Sequence, residues 1–526
     1  MTVIAHNPIM PGFYPDPSIC AVGEDFYMVH SSFSYFPGLP VMHSKDLAHW
    51  EQIGNVMDRE SQLPLKESGI SRGLFAPTIR YHEGVYYVIC TNVSYGGNYI
   101  VTAISPEGPW SEPHYIEGAG GIDPSLFFDE DGKCYYIGTH PNPAGCLYDG
   151  DWYIWIQELD LTTMKLVGEP KDVWNGAMKN IIWPEGPHLY KRGDYYYILH
   201  AEGGTGPNHA VTVCRSKSIW GPYENNFCNP ILTHRHLGWA YPVKYVGHAD
   251  LVETVAGEWY MVMLAVRPQE GYTTMGRETF LAKVVWENDW PVVNPGVGIL
   301  TDTVEINLPE WNPMTDTTSH TYRSQGKNCE PGSSRCYDFT GVQELGDEFL
   351  TLRHAKDEKF RLAKEGLYLG FTSDTLKEMG APAYLAIRQQ HHNFVVTAAL
   401  SLKALSEEKR AGIALVQNEQ YQLRVEVSDT KAEVILCEKG VDARKGMMTL
   451  NADEVKIILH VQDLKATIDI LEKGTERTLV NNVDIHALST EVAGGFVGCT
   501  VGMFAVTDEE AAQESALFKS FSYQGN

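Results

Sequence analysis

The sequence predicts an all-β protein, with an N-terminal five-bladed β-propeller and a C-terminal antiparallel β-sandwich. Three observations predict it. One short pattern recurs five times in the first half, at Asp16-Pro17-Ser18-Ile19, Ala76-Pro77-Thr78-Ile79, Asp123-Pro124-Ser125-Leu126, Glu185-Gly186-Pro187-His188-Leu189 and His248-Ala249-Asp250-Leu251. Recurrence at a roughly constant period is the mark of stacked or radial copies of one supersecondary unit. Short aromatic and β-branched runs separated by Gly, Pro, Asn and Asp fill residues 1–300, while amphipathic helix patterns are scarce. A weakly patterned stretch, 302–334, then separates these runs from a second set of alternating ones.

Each copy of the pattern begins an inner strand. A hairpin partner follows each: FYMV, YYVI, YYIG, YYYIL and WYMV. The outer strands are read at SKDLAHW (44–50), SPEGPWSEP (105–113), LDLTTMKLVGEP (159–170), SKSIWGPYE (216–224) and TFLAKVVWENDWP (279–291). Four strands per unit and five units make the propeller. Its domain is placed at 1–310, and 311–526 is read as linker plus accessory sandwich. Residues 302–334, rich in Asn, Pro, Thr, Ser and Gly, suit a linker. GLYLGF (366–371), AYLAIRQQ (383–390), NFVVTAALSL (393–402), YQLRVEVS (421–428), KAEVILCE (431–438) and VKIILHVQ (455–462) supply the sandwich strands.

The net charge of −26 over 526 residues argues against nucleic acid or an anionic membrane as partner, since both need a basic surface. It suits a neutral substrate. No run approaches the length of a membrane helix. The opening MTVIAHNPIMPGF lacks a basic segment followed by an apolar core, so no secretory signal is read there. Cys90, Cys134, Cys214 and Cys437 lie inside apolar strands, the usage of a reducing compartment, and a cytoplasmic location is expected. Cys329 and Cys336 flank a Gly/Ser turn, where a pairing is a minor option.

Arranged around an axis, the five equivalent positions bring Asp16, Ala76, Asp123, Glu185 and His248 to a common point. Taken singly, Asp16 is open between a turn aspartate and a catalytic one. Asp123 repeats the same tripeptide in the same phase. Glu185 sits among Trp183, Pro184 and Pro187, where desolvation raises a carboxyl pKa, as a general acid at neutral pH requires. Glycosidic cleavage needs one such acid and a second carboxylate across the bond. A gap of about 6.5–9.5 Å would leave room for water and give inversion. Asp16 and Glu185 fit that pair, and Asp123 would keep Glu185 protonated by like-charge repulsion. His248 is open between a core histidine and an axial residue holding water or a cation. Arg277 is either a strand arginine or a ligand of sugar hydroxyls. Phe33 and Phe75 are either loop packing or the apolar walls of a sugar pocket. The Gly-rich EGGTG (202–206) lacks the lysine of a phosphate loop, and no HExxH or paired CxxC occurs.

These segments resemble family 43 glycoside hydrolases of the two-domain type, the β-xylosidases and α-L-arabinofuranosidases, over essentially the whole length. The resemblance implies that Asp16, in NPIMPGFYPDPSI, is the general base. It implies that Asp123, in GIDPSLFFD, modulates the pKa of the general acid Glu185, in WPEGPHLY. VGHADLVE implies an axial His248 associated with water or calcium, and GRETFL a substrate-binding Arg277. No cofactor is otherwise implied. LAIRQQHHNF and AGGFVGCTVGM resemble the family's accessory sandwich, which places Phe496 at the active-site rim. The family often forms dimers or tetramers, so a homo-oligomer stays open. Many of the xylosidases have tryptophan where this chain has Phe75, a departure that tilts the expected activity toward arabinofuranosides. The expected function is inverting exo-hydrolysis of terminal α-L-arabinofuranosyl units from hemicellulose oligosaccharides, with β-D-xylosidase or dual activity as the alternative. A retaining fructosidase and a non-catalytic sugar-binding propeller are the competing classes.

Overall fold

The computed structural model describes residues 2–319, 334–341, 344–356, 359–509 and 514–525. Its first half contains five four-stranded antiparallel sheets. Their inner strands are Ser18–Val22, Thr78–His82, Ile122–Phe128, Glu185–Arg192 and Lys244–Glu253. Each inner strand touches the next, and the fifth returns to the first, which closes the propeller. The second strands are Asp25–Val29, Val85–Asn92, Cys134–Pro141, Tyr195–Glu202 and Trp259–Val266, where the aromatic runs lie in the sequence. Side chains between neighbouring blades form separate apolar clusters, one of them built from Tyr197, Leu199, Met261, Met263 and Phe280.

The outermost strands differ from expectation. Residues 105–113 and 216–224 are largely connections, and the outer strands beside them, His114–Tyr115 and Glu224–Asn225, are two residues long. Proline in both segments explains this, since it cannot donate to a ladder. Residues 302–319 are not a linker either. Thr303–Ile306 pairs antiparallel with Val3–His6, which ties the end of the propeller to its beginning. Trp311 is buried, packs edge-on against His43 and donates its backbone N–H to Asp46. The alternation in TVEI, obscured by its polar neighbours, was the available signal.

Two residues beyond Asp16, Ala76, Asp123 and His248, and three beyond Glu185, stands a second tier of polar residues: Ser18, Thr78, Ser125, Asp250 and His188. Asp250 is fully buried and accepts bonds from three other blades. Ser18 Oγ donates to it at 2.7 Å, Arg80 Nη1 and Nη2 at 2.8 and 3.1 Å, and the Tyr190 hydroxyl at 2.5 Å. Arg80 Nη2 also reaches His188 Nδ1 at 3.0 Å, and Ser125 Oγ lies 3.0 Å from the same nitrogen. Burial opposes the Asp250 charge, but Arg80 and the hydrogen bonds outweigh it and hold the carboxyl far below the usual range.

The second domain stacks two sheets. One runs Ala383–Arg388, Thr500–Thr507, Lys409–Asn418, Tyr421–Val427, Lys431–Glu438 and Val441–Thr449. The other has eight strands centred on Phe394–Ser401 and Ser515–Gly525. Alternate side chains from both sheets meet in one core, as an aligned sandwich requires. The domains are joined at several points. Thr351–Leu352 pairs with Tyr35–Phe36 of the first blade, and buried Arg353 binds the Ser68 carbonyl and the Glu419 carboxylate. Cys90, Cys134, Cys214 and Cys437 are buried thiols, while Cys329 lies outside the described residues. Among the described residues no helix is long and apolar enough to cross a membrane.

Replacing Asp250 with alanine strands the Arg80 guanidinium at the axis. We expect the Asp250→Ala variant to lose about 3–5 kcal/mol in chemical denaturation. The paired Arg80→Met/Asp250→Leu variant should lose clearly less. A single-variant loss below about 1 kcal/mol, the value of an exposed pair, would contradict the axial role.

Candidate active site

The repeat positions converge at the end of the axis where the inner strands begin. Asp16, Asp123 and His248 have left-handed backbones, with φ of 54°, 52° and 50°. Non-glycine residues hold that conformation at a cost of about 1–3 kcal/mol each, and such strain clusters at functional sites. Irregularities in strand pairing accompany it at Ile122/Ser125, Glu185/His188 and Lys244/Gly247. They re-aim the side chains from the blade toward the axis. Ala76, the fifth equivalent, is buried and carries no polar group.

The carboxyls differ in their partners. Asp16 accepts from Arg277 Nη1 at 2.5 Å and from the Ser31 hydroxyl at 2.5 Å, and lies 4.0 Å from His248 Nδ1. Burial pushes its pKa up, but Arg277, then His248 and Ser31, pull harder, and Asp16 ends below its ordinary value. Asp123 has the Gly186 N–H at 3.1 Å. Burial and the Asp16 charge raise it despite His248. Glu185 is pushed well above the carboxylate range by burial first, then by Asp123 and Asp16. The pair of buried Asp123 and half-buried Glu185 therefore resists carrying two negative charges. A carboxyl whose neighbours favour its charge and one whose neighbours oppose it thus share the site.

Arg277 connects the site to the sandwich. Its Nη2 donates to the Phe496 carbonyl at 3.2 Å. Phe496 is 40% exposed and belongs to the sandwich loop that passes over the propeller. Its ring stacks on Phe33 at 6.2 Å and meets Phe75 edge-on at 5.8 Å. Phe33 is 1% exposed and stacks on Phe13, so it backs this wall more than it faces a ligand. The loop is held by Glu491, whose carboxylate accepts from the Thr273 N–H and hydroxyl at 2.6 and 2.8 Å. Gly276 and Gly498 pack where a Cβ on the former would lie 2.6 Å from the latter's nitrogen.

All eight sequence-selected residues meet here: Asp16, Asp123, Glu185, His248, Arg277, Phe33, Phe75 and Phe496. Calcium at His248 is not supported. Among the described residues no group of three or more His, Cys, Asp or Glu side chains is placed to hold a metal ion. The imidazole faces Asp16 and lies under Gly186, and calcium prefers a shell of oxygens. Sequence reasoning missed Ser31 and His209, the latter with Nε2 4.0 Å from Glu185 Oε1. The only trace of His209 in the sequence is glycine at 247, which leaves room for its ring.

Residues 5–291 match the model of glycosyl hydrolases family 43, and 336–524 match the β-xylosidase C-terminal concanavalin A-like domain. The chain is 48% identical to a xylosidase/arabinosidase of Butyrivibrio fibrisolvens, over 99% of each chain. It is 35% identical to a non-reducing end α-L-arabinofuranosidase of Bacteroides ovatus, over 98% of this chain and 94% of that one. The solved xylan β-1,4-xylosidase of Bacillus halodurans superimposes with a TM-score of 0.88 at 32% identity, covering 99% of this chain and 100% of the other. With the propeller, the sandwich and the buried carboxyls already in place, these matches establish that the chain belongs to glycosyl hydrolase family 43 and is a glycosidase acting on oligosaccharides.

Proposed function

We propose that the protein is an inverting exo-glycosidase that releases terminal α-L-arabinofuranosyl residues from hemicellulose-derived oligosaccharides. The observation that carries this reading is the difference in partners of two carboxyls converging on one axis: Arg277 and Ser31 donate to Asp16, while Glu185 lies beside His209 and within reach of the Asp123 charge. Asp16 is kept ionised by Arg277, and Glu185 is kept protonated by burial and by Asp123. Glu185 donates its proton to the glycosidic oxygen as the bond to the anomeric carbon breaks. Asp16 takes a proton from the water that attacks that carbon from the other side. Solvent then reprotonates Glu185 and deprotonates Asp16. Arg277, fixed between Asp16 and the Phe496 carbonyl, orients sugar hydroxyls, and Phe75 and Phe496 supply apolar walls. The preference for arabinofuranosides rests on Phe75, a smaller ring than tryptophan. A second reading, β-D-xylosyl release, is favoured by the xylosidases among the similar proteins. A cytoplasmic site of action accords with the buried thiols.

Three outcomes follow from these roles. Glu185→Ala should lose about 10²–10⁴-fold in kcat on oligosaccharides, with the thermal midpoint unchanged. Activity like the parent's would remove Glu185 from its role. Asp123→Asn deletes a charge that holds Glu185 protonated, so Glu185 falls and the alkaline limb of the kcat/KM profile moves to lower pH. An unmoved limb would contradict the modulating role. Side-by-side kcat/KM on aryl α-L-arabinofuranoside and aryl β-D-xylopyranoside should favour the former, and Phe75→Trp should shift the ratio toward the xyloside. A parent preference for the xyloside would select the second reading.

A further inference from the structure

Beside Glu185 stands a buried group that this acid–base scheme leaves unused. His209 directly precedes the third strand of the fourth blade, Ala210–Ser216, and is 1% exposed. Its Nδ1 lies 2.9 Å from the Tyr245 carbonyl. A carbonyl only accepts, so Nδ1 carries the proton and Nε2 keeps a lone pair. That Nε2 is buried, has no hydrogen-bond partner among the described residues, and lies 4.0 Å from Glu185 Oε1. The ring is fixed from several directions. The His209 N–H donates to the Gly206 carbonyl at 3.0 Å, and its own carbonyl accepts from Thr233 Oγ1 at 2.8 Å. A Cβ on residue 247 would sit 2.3 Å from the imidazole, so glycine there makes room for it.

The charged groups around the two side chains set their protonation in opposite directions. His209 faces His248, Arg277 and Asp16. Burial first, then His248 and Arg277, push it down to about 3 despite the Tyr245 carbonyl, and it is neutral at ordinary pH. Glu185 faces Asp123, Asp16 and Arg277 and is raised. A carboxylic acid proton therefore stands next to an imidazole lone pair. The present gap exceeds a hydrogen bond, and a movement of about 1 Å by the carboxyl makes one.

We infer that His209 is a positioning residue for Glu185: its Nε2 accepts the hydrogen bond of the carboxylic acid between turnovers, and the glycosidic oxygen of an incoming substrate displaces it as acceptor. The inference rests on Glu185 being the general acid. The proton stays on Glu185 until it passes to the leaving oxygen. After turnover the Glu185 carboxylate faces the same lone pair, acceptor against acceptor, which favours its reprotonation from solvent.

Two full-length variants test this. His209→Phe keeps a ring above Gly247 and removes the lone pair, and His209→Asn keeps a donor for the Tyr245 carbonyl. Both are assayed on an activated aryl pentoside, whose phenol leaves without protonation, and on an unactivated oligosaccharide. We expect kcat/KM to fall about 10-fold or more on the oligosaccharide and by less than about 2-fold on the activated substrate. In the Asn variant the alkaline limb should move to lower pH, because a bond to the protonated form is lost. Equal losses on both substrates would mean that the ring touches the sugar or only supports the fold, and would overturn the inference, as would no loss on either. Glu185→Ala on the same pair separates the two claims. If it shows no dependence on the leaving group, the acid assignment fails. If it does and the His209 variants do not, only the role of His209 fails. Should neither variant fold, ¹⁵N NMR of the histidines in the parent decides. Nε2 of His209 should stay unprotonated from about pH 5 to 8, and a protonated Nε2 overturns the inference.

Discussion

The carboxylate of Asp250 is the contact on which the rest of this structure depends. It sits on the propeller axis with no access to water, and a buried charge is tolerable only when paired and hydrogen-bonded. Arg80 of the second blade supplies the charge, and Ser18 and Tyr190 of the first and fourth supply further donors. One anion thereby gathers four blades at their narrowest point. The converging carboxyls belong to the neighbouring tier. Asp16 is two residues before Ser18, and His248 two before Asp250, so anything that fixes the lower tier fixes the upper one.

The second constraint runs between domains. Asp16 owes its ionised state chiefly to Arg277, and Arg277 is held from the far side by the Phe496 carbonyl of the sandwich. Through Arg277 the second domain thus reaches the Asp16 carboxyl as well as the rim. Its loop is anchored by Glu491 on Thr273 and by the glycine-on-glycine approach of Gly276 and Gly498.

Much of this was legible in the sequence, because a radial repeat places equivalent residues at equivalent points. Asp16, Asp123, Glu185 and His248 were found by phase alone, and the sandwich strands by alternation. What was not legible lies where long-range geometry overrides local pattern. No local pattern marks Arg80, and only closure of the ring brings it 2.8 Å from Asp250. Thr303–Ile306 reads as linker because its partner strand is at the other end of the chain. Phe33 is open in the sequence between loop packing and a pocket wall, and its burial against Phe13 is visible only in the packing. His209 lies in a Gly-rich loop that matched no motif, and its place beside Glu185 follows from the missing side chain at Gly247.

The central claim is that Asp16 and Glu185 act from opposite faces of the sugar with a water between them. ¹H NMR of the first-formed product from an α-L-arabinofuranoside tests it most directly. The account predicts that β-L-arabinose appears first and then mutarotates. Initial release of the α-anomer would mean that a carboxylate attacks the sugar itself, and would contradict the role of Asp16 as the base that activates water.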